Sequence, residues 1–244
     1  NAGYDDALPF ARAGLTICNA RGVHDASTAE LAVLLAVASL RGLPTFVRNQ
    51  DRRTWEHQRR ESLADKSVGI VGYGAIGRRV GQLVRAFEAS VLAFSRSGRD
   101  GSLPVEALDA HLPALDVVIV TVPAAPDTRH LFDARRLALL KDGALLVNVA
   151  RGSVVDTDAL VRELAAGRIG AALDVTDPEP LPPDHPLWSA PNCLVSPHVG
   201  GDSSAFEPRM KRLLAEQLRR FATGEPLLNV VQAGRRARLD PASR

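Results

Sequence analysis

From residue 67 onward, near-continuous apolar runs alternate with segments of helical spacing. Ser67 to Val71 is a short apolar run ending in glycines, which predicts a buried strand. Ala75 to Phe87 repeats apolar residues at helical intervals: Ile76, Val80, Leu83, Val84 and Phe87. Further strands are predicted at Ser90 to Phe94, Asp116 to Val122, Ala144 to Val149, Gly170 to Val175 and Cys193 to Ser196. Helices are predicted at Asp133–Lys141 and Asp156–Ala166. Apolar strands alternating with helices imply an α/β fold, a doubly wound parallel sheet covered on both faces.

The N-terminal part reads differently. Leu15 to Ala20 suits one strand. Ser27 or Thr28 can cap a long helix running to about Phe46, with Glu30 in its first turn where the helix dipole favours an acid. Arg48 to Arg60 is polar, carries Trp55 and reads as an arm. Ser203 to Phe221 predicts a last amphipathic helix, and Gln232 to Arg244 a disordered tail.

Composition narrows the field. The net charge is only +2 over 244 residues, which gives no electrostatic support for a nucleic-acid or membrane partner. The longest apolar run, Leu31 to Leu40, falls short of the ~20 residues of a membrane span and reads as a buried helix. Cys18 and Cys193 are too few and too far apart for a metal site or a disulfide scaffold, so no metal is expected and reduced cytoplasmic thiols are the plain reading. The start at Asn1, within what reads as a turn, suggests that sequence precedes it.

The glycines after the first sheet strand carry chemistry. In Gly72-Tyr73-Gly74-Ala75-Ile76-Gly77, Gly72 permits a tight turn, Gly74 lets backbone approach a pyrophosphate, and Gly77 lets helix and sheet pack closely. The pyrophosphate would sit at the N-terminus of the helix starting near Ala75. An acid about 20 residues on usually holds the ribose hydroxyls of NAD. This chain instead has Ser95-Arg96-Ser97, with Arg99 nearby and no acid until Asp100. Arginine and serine suit a 2′-phosphate, so NADP is favoured over NAD; the alternative is a solvated basic loop.

Ligands of such sheets bind beyond the carboxyl ends of the strands. Arg151, Glu179 and His198 each follow a predicted strand and so emerge there together. An arginine can grip carboxylate and carbonyl oxygens in a two-pronged way. A histidine can donate a proton near neutral pH, and a neighbouring carboxylate can orient it. The bland alternatives are a surface turn at Arg151-Gly152, a solvated Glu179 among prolines, and a loop-capping His198. His24, His57, His111, His130 and His185 lie in helical, linker or loop contexts.

With these residues in place the chain resembles the D-isomer-specific 2-hydroxyacid dehydrogenase family, from Asn1 to about Val231. The marks are the glycine fingerprint, Pro123-Ala124-Ala125-Pro126-Asp127-Thr128, Asn148-Val149-Ala150-Arg151-Gly152, Asp174-Val175 through Glu179-Pro180-Leu181, and Pro197-His198. The resemblance implies that Arg151 binds substrate, His198 is the acid/base and Glu179 pairs with it. It implies that Asp174 contacts the nicotinamide end, and that Val122, Pro123, Thr128, Val149, Ala150, Gly200 and Gly201 line the cofactor site. Ala2 and Gly3 resemble the loop that holds the substrate carboxylate. Glu179 argues against the formate dehydrogenase branch, which carries glutamine there.

It also implies a Rossmann domain at 25–200 with a dimerisation helix and arm. Residues 1–24 would be the remnant of a second, flavodoxin-like substrate domain, and 201–244 the returning helix and tail. The expected activity is hydride transfer between a nicotinamide cofactor and a small 2-keto or 2-hydroxy acid, such as glyoxylate or hydroxypyruvate, in a homodimer. The rivals are a nucleotide-sensing protein of corepressor type and an inactive dinucleotide-binding fragment.

Overall fold

The computed structural model describes residues 16–232. In chain order the elements are β1 (Ile17–Cys18), α1 (Asp25–Leu40), α2 (Leu43–Asp51), β2 (Ser67–Val71), α3 (Ala75–Ala86), β3 (Ser90–Ser95), β4 (Leu103–Pro104), α4 (Leu108–His111), β5 (Val117–Val120), α5 (Ala134–Leu139), β6 (Leu145–Asn148), α6 (Thr157–Ala165), β7 (Gly170–Leu173), β8 (Cys193–Val195), α7 (Phe206–Thr223) and β9 (Val230–Gln232). They form two compact units, one of 25–203 and one that joins the described residues before 25 to those after 203.

The larger unit holds a seven-stranded sheet in the order β4-β3-β2-β5-β6-β7-β8. Every pairing in it is parallel. Its central strands are buried on both faces, which is why Val117–Val120 and Leu145–Asn148 read as continuous rather than alternating apolar runs. Neighbouring residues serve opposite cores. Val118, Val120 and Leu146 join Phe94, Leu112, Leu137 and Leu160 on one side. Ile119 and Val147 join Ala32, Ala36, Ile70, Val80 and Val84 on the other. Helices α1 and α3 cover the second face, which completes the doubly wound fold.

Three expectations for the N-terminal part need correction. The helix expected from Ser27 to Phe46 is two helices, meeting at 66°. Arg41 and Gly42 break it: Gly42 has a φ of 68°, comfortable only for glycine, and Pro44 opens α2. A Cβ on Gly42 would also lie 2.8 Å from the Arg60 Nε. Nor is Thr28 a cap. α1 begins at Asp25, and Thr28 lies buried inside it with its hydroxyl donating to the Gly200 carbonyl at 3.2 Å. Finally, the strand expected at Leu15 to Ala20 is β1 alone, paired antiparallel with β9.

In the smaller unit α7 is amphipathic but buries no residue fully. It leaves Leu214, Leu218 and Phe221 exposed. No single helix among the described residues is long and apolar enough to cross a membrane. The predicted tail beyond Gln232 lies outside the described residues.

Candidate functional site

The site grows from the carboxyl edge of the sheet. β2 ends at Val71, and the chain turns at Gly72 with a φ of 105°. The Gly72 and Tyr73 N–H groups donate to the Phe94 carbonyl on β3, and the Thr121 hydroxyl donates to the Gly72 carbonyl at 2.6 Å. A Cβ on Gly77 would lie 2.2 Å from the Gly72 carbonyl oxygen, so helix and turn touch backbone to backbone. A Cβ on Gly74 would meet nothing within 4 Å. Gly74 caps α3 with no side chain of its own, and Ala75 and Ile76 start the helix, so the first N–H groups face open space. The three glycines therefore fit a dinucleotide pyrophosphate.

Beside this turn lies a cavity of about 510 Å³, lined by Gly72, Gly74, Arg78, Arg96, Ser97, Arg99 and by Val122, Pro123 and Thr128 among others. The structure adds two features to the expected phosphate loop. Ser95 lines the cavity, but its hydroxyl is committed within the loop. It accepts the Gly98 N–H at 3.1 Å and contacts the Ser102 hydroxyl at 2.8 Å, which in turn donates to the Arg99 carbonyl. Ser95 thus shapes the loop. Second, an acid from elsewhere in the chain reaches the loop. Arg96 Nη2 lies 2.8 Å from the Asp127 carboxylate, delivered from the connection after β5.

Thr128 is likewise spent on structure. Its hydroxyl donates to the Pro123 carbonyl at 2.7 Å and accepts the Ala125 N–H at 2.8 Å, fixing the Pro126–Thr128 turn.

At the other side of the edge, β6, β7 and β8 run side by side and release three loops together. Val149, Ala150 and Arg151 follow β6. Buried Asn148 shapes their turn: its side chain accepts the Ala150 N–H at 3.0 Å and donates to the Arg151 carbonyl at 2.9 Å. The Arg151 guanidinium donates to the Ala150 carbonyl at 2.6 Å. A Cβ on Gly152 would stand 1.9 Å from the Thr176 carbonyl oxygen, so only glycine lets the arginine turn seat against the segment after β7. That segment leads to Glu179.

The loop after β8 carries His198. Its Nδ1 lies 2.5 Å from the Glu179 carboxylate, with both side chains about 40% exposed (41% and 39%). The pairing fixes the ring and leaves Nε2 for a ligand. His198 has a φ of 54°, the left-handed region that a β-carbon disfavours. Asp174 holds that conformation. Its buried carboxylate accepts the Ser196 hydroxyl at 2.6 Å and the Val199 and Gly200 N–H groups at 3.0 and 2.9 Å, and its carbonyl accepts the His198 N–H at 2.8 Å. Asp174, expected at the nicotinamide, thus acts first as the clamp of the histidine loop. Gly200 is buried against it and Gly201 follows at the loop's end.

Sequence reasoning gave no role to Asp127, Arg78, Asn148 and Ser196. Arg78 pairs with Asp100 at 3.0 Å and lies over the Tyr73 ring at 5.9 Å within the same cavity. Its position directly after Gly77, one turn into α3, was a usable signal. Asn148 was detectable as a polar residue ending an apolar strand. Ala2 and Gly3 lie outside the described residues.

Known proteins are similar to this chain over most of its length. The family model for the D-isomer specific 2-hydroxyacid dehydrogenase NAD binding domain matches residues 33–200. A glyoxylate reductase from Aeropyrum pernix is 36% identical, across 94% of this chain and 73% of its own length. A D-3-phosphoglycerate dehydrogenase from Archaeoglobus fulgidus is 33% identical across 89% of this chain, which spans only 43% of that relative. A D-isomer specific 2-hydroxyacid dehydrogenase from Xanthobacter autotrophicus, solved with NADPH and MES, superposes with a TM-score of 0.80 at 32% identity, covering 95% of this chain and 98% of that one.

Proposed function

Because this chain belongs to the D-isomer specific 2-hydroxyacid dehydrogenase family, through its NAD binding domain, we propose that it reduces a small 2-keto acid such as glyoxylate or hydroxypyruvate. The observation that carries this reading is the His198–Glu179 pair at 2.5 Å, set on the same sheet edge as the Arg151 turn.

When bound at this edge, a nicotinamide cofactor would supply the hydride for the keto carbon. Gly72, Gly74, Ala75, Ile76 and Gly77 would hold its pyrophosphate at the start of α3. Arg151 leaves its local contact to Ala150 and grips the substrate carboxylate and carbonyl oxygen, polarising the carbonyl. His198 donates the proton to that oxygen through Nε2. Glu179 keeps the ring aligned through Nδ1. Asp174 keeps the whole loop in register.

The cofactor favoured is NADPH. Arg96, Ser97 and Arg99 line the cavity at the end of β3, where an NAD-specific protein would place a carboxylate. The relative from Xanthobacter autotrophicus was solved with NADPH. The reading includes a homodimer in the cytoplasm. α2 and the following arm present Leu43, Phe46, Val47 and Trp55 to solvent, Trp55 at 97%, which suits a subunit contact. Cys18 and Cys193 are free thiols, in keeping with a reducing compartment.

The test is NADPH oxidation followed at steady state over a panel of 2-keto acids. Turnover of glyoxylate or hydroxypyruvate is expected. Tight NADPH binding with no turnover of any keto acid would replace the reductase by a nucleotide-sensing or inactive protein.

A further inference from the structure

The cofactor cavity contains more carboxylates than a site for an anion needs. Arg78, Arg96 and Arg99 line it, and so do Asp100, Glu106 and Asp127, so its formal charge is balanced, three against three. Two of the arginines are already paired, Arg96 with Asp127 at 2.8 Å and Arg78 with Asp100 at 3.0 Å. The first pair has a particular placement. The strand order β3-β2-β5 puts β2, with its glycine turn, between the strands that release Arg96 and Asp127. The ion pair therefore joins the two loops flanking the fingerprint, across the place where a ribose would lie.

We propose that Asp127 is a specificity-determining residue, an internal anion that competes with the ribose 2′-phosphate for Arg96. This rests on the reading of the Ser95–Ser97 loop as the 2′-phosphate site. The two partners differ in mobility. Asp127 stands in a turn locked by the Thr128 hydroxyl. Arg96 is a long side chain, 73% exposed, and is the partner that moves. A 2′-phosphate offers its guanidinium a doubly charged, two-pronged replacement for the carboxylate. A 2′-hydroxyl offers no charge, so an unphosphorylated ribose leaves the pair in place or opens it uncompensated. With phosphate bound, Asp127 remains nearby as a like charge and weakens the complex. Because the pair is exposed, its influence is a severalfold adjustment, not an on–off switch.

The experiment compares wild type, Asp127→Asn, Arg96→Ala and the double variant. Adenosine 2′,5′-bisphosphate and adenosine 5′-monophosphate are titrated by calorimetry, and NADPH and NADH by nicotinamide fluorescence. Asp127→Asn keeps the side-chain shape and removes its charge. It is expected to tighten the 2′-phosphorylated ligands about three- to tenfold, and at least about threefold more than the unphosphorylated ones. In the Arg96→Ala background that gain shrinks, because only the relief of like-charge repulsion remains. Weaker NADPH binding in Asp127→Asn would mean that Asp127 orients Arg96 for the phosphate, and would overturn the proposal. An equal gain for both ligand classes would make the pair a mere steric bar, and would overturn it too. The underlying reading fails separately. If Arg96→Ala alone leaves the NADPH-to-NADH ratio unchanged, the loop does not read the phosphate and Asp127 falls with it. If that ratio collapses while Asp127→Asn gives no gain, only the role of Asp127 is lost.

Discussion

The two ends of the cofactor edge are built on different physics. The loop that carries His198 is held by a buried carboxylate: Asp174 takes three hydrogen bonds from it and stabilises a left-handed histidine. At the other end the Arg96 side chain is held by an ion pair whose members are 73% and 58% exposed. Buried, fully satisfied networks are rigid, and breaking them is costly. Exposed pairs are weak and exchange partners readily. A proton donor must be preorganised before substrate arrives, whereas a group that selects between two cofactors can afford to move.

The largest effects are expected at the rigid end. His198→Ala and Arg151→Ala should each lower turnover of glyoxylate with NADPH by about 10²–10⁴-fold, the usual range for a lost general acid, with NADPH affinity changed far less. Parallel losses in NADPH affinity and turnover would show that these residues hold the cofactor instead.

Asp174→Asn comes next. Asparagine keeps one acceptor oxygen but turns an N–H₂ toward either the Gly200 N–H or the pair formed by Ser196 and Val199. Leaving a buried donor unpaired costs about 1–3 kcal/mol. The variant should unfold at lower urea concentration and lose turnover. NADPH binding at the far end should hold, because the Arg96 loop makes no use of Asp174. Loss of adenosine-end binding in this variant would erase the distinction between the two ends.

At the mobile end, NADPH should bind about tenfold more tightly than NADH, as one charge-assisted arginine–phosphate contact allows. Arg96→Ala should remove most of that preference. Equal affinities in the wild type would return the loop to a solvated turn.

The rigid end was also the legible one. Arg151, Glu179 and His198 each sit a few residues beyond an apolar run, and strand ends place residues on one edge whatever the strand order. Gly77 could be read because glycine leaves a mark in the sequence where backbones touch. What escaped depended on neighbours in space. Asp127 meets Arg96 only because β3 and β5 flank β2, an order that spacing does not reveal. Asp174 was visible as a strand-end acid, but its commitment to the histidine loop depends on hydrogen bonds across 22–26 residues. The break in the first long helix turned on one glycine within an otherwise helical pattern, where a helix interior tolerates a glycine at modest cost.

The smallest effect concerns a third carboxylate, at the opposite edge of the sheet, which separates burial from function. Asp116 accepts the Ser67 N–H at 2.7 Å and returns its own N–H to the Ser67 carbonyl, tying the starts of β2 and β5 together. Lys141 lies 2.8 Å away and Lys66 3.9 Å. Burial pushes the Asp116 carboxyl up, but hydrogen bonds from Lys141 and Ser67 and the charges of both lysines outweigh it and hold the group below its ordinary value of 3.8. A depressed folded-state value means that the ionised form stabilises the fold above about pH 4 and that this contribution fades as pH falls through the folded value. Asp116→Asn keeps an acceptor for Ser67 and removes the charge, so it should cost about 1 kcal/mol near neutral pH. Urea midpoints of the two proteins should converge as the pH drops below 3.8. The NADPH-to-NADH ratio should stay at its wild-type value throughout. A gap in stability that persists at acid pH would assign the cost to packing instead of charge. A change in cofactor ratio would mean that the two edges of the sheet are coupled.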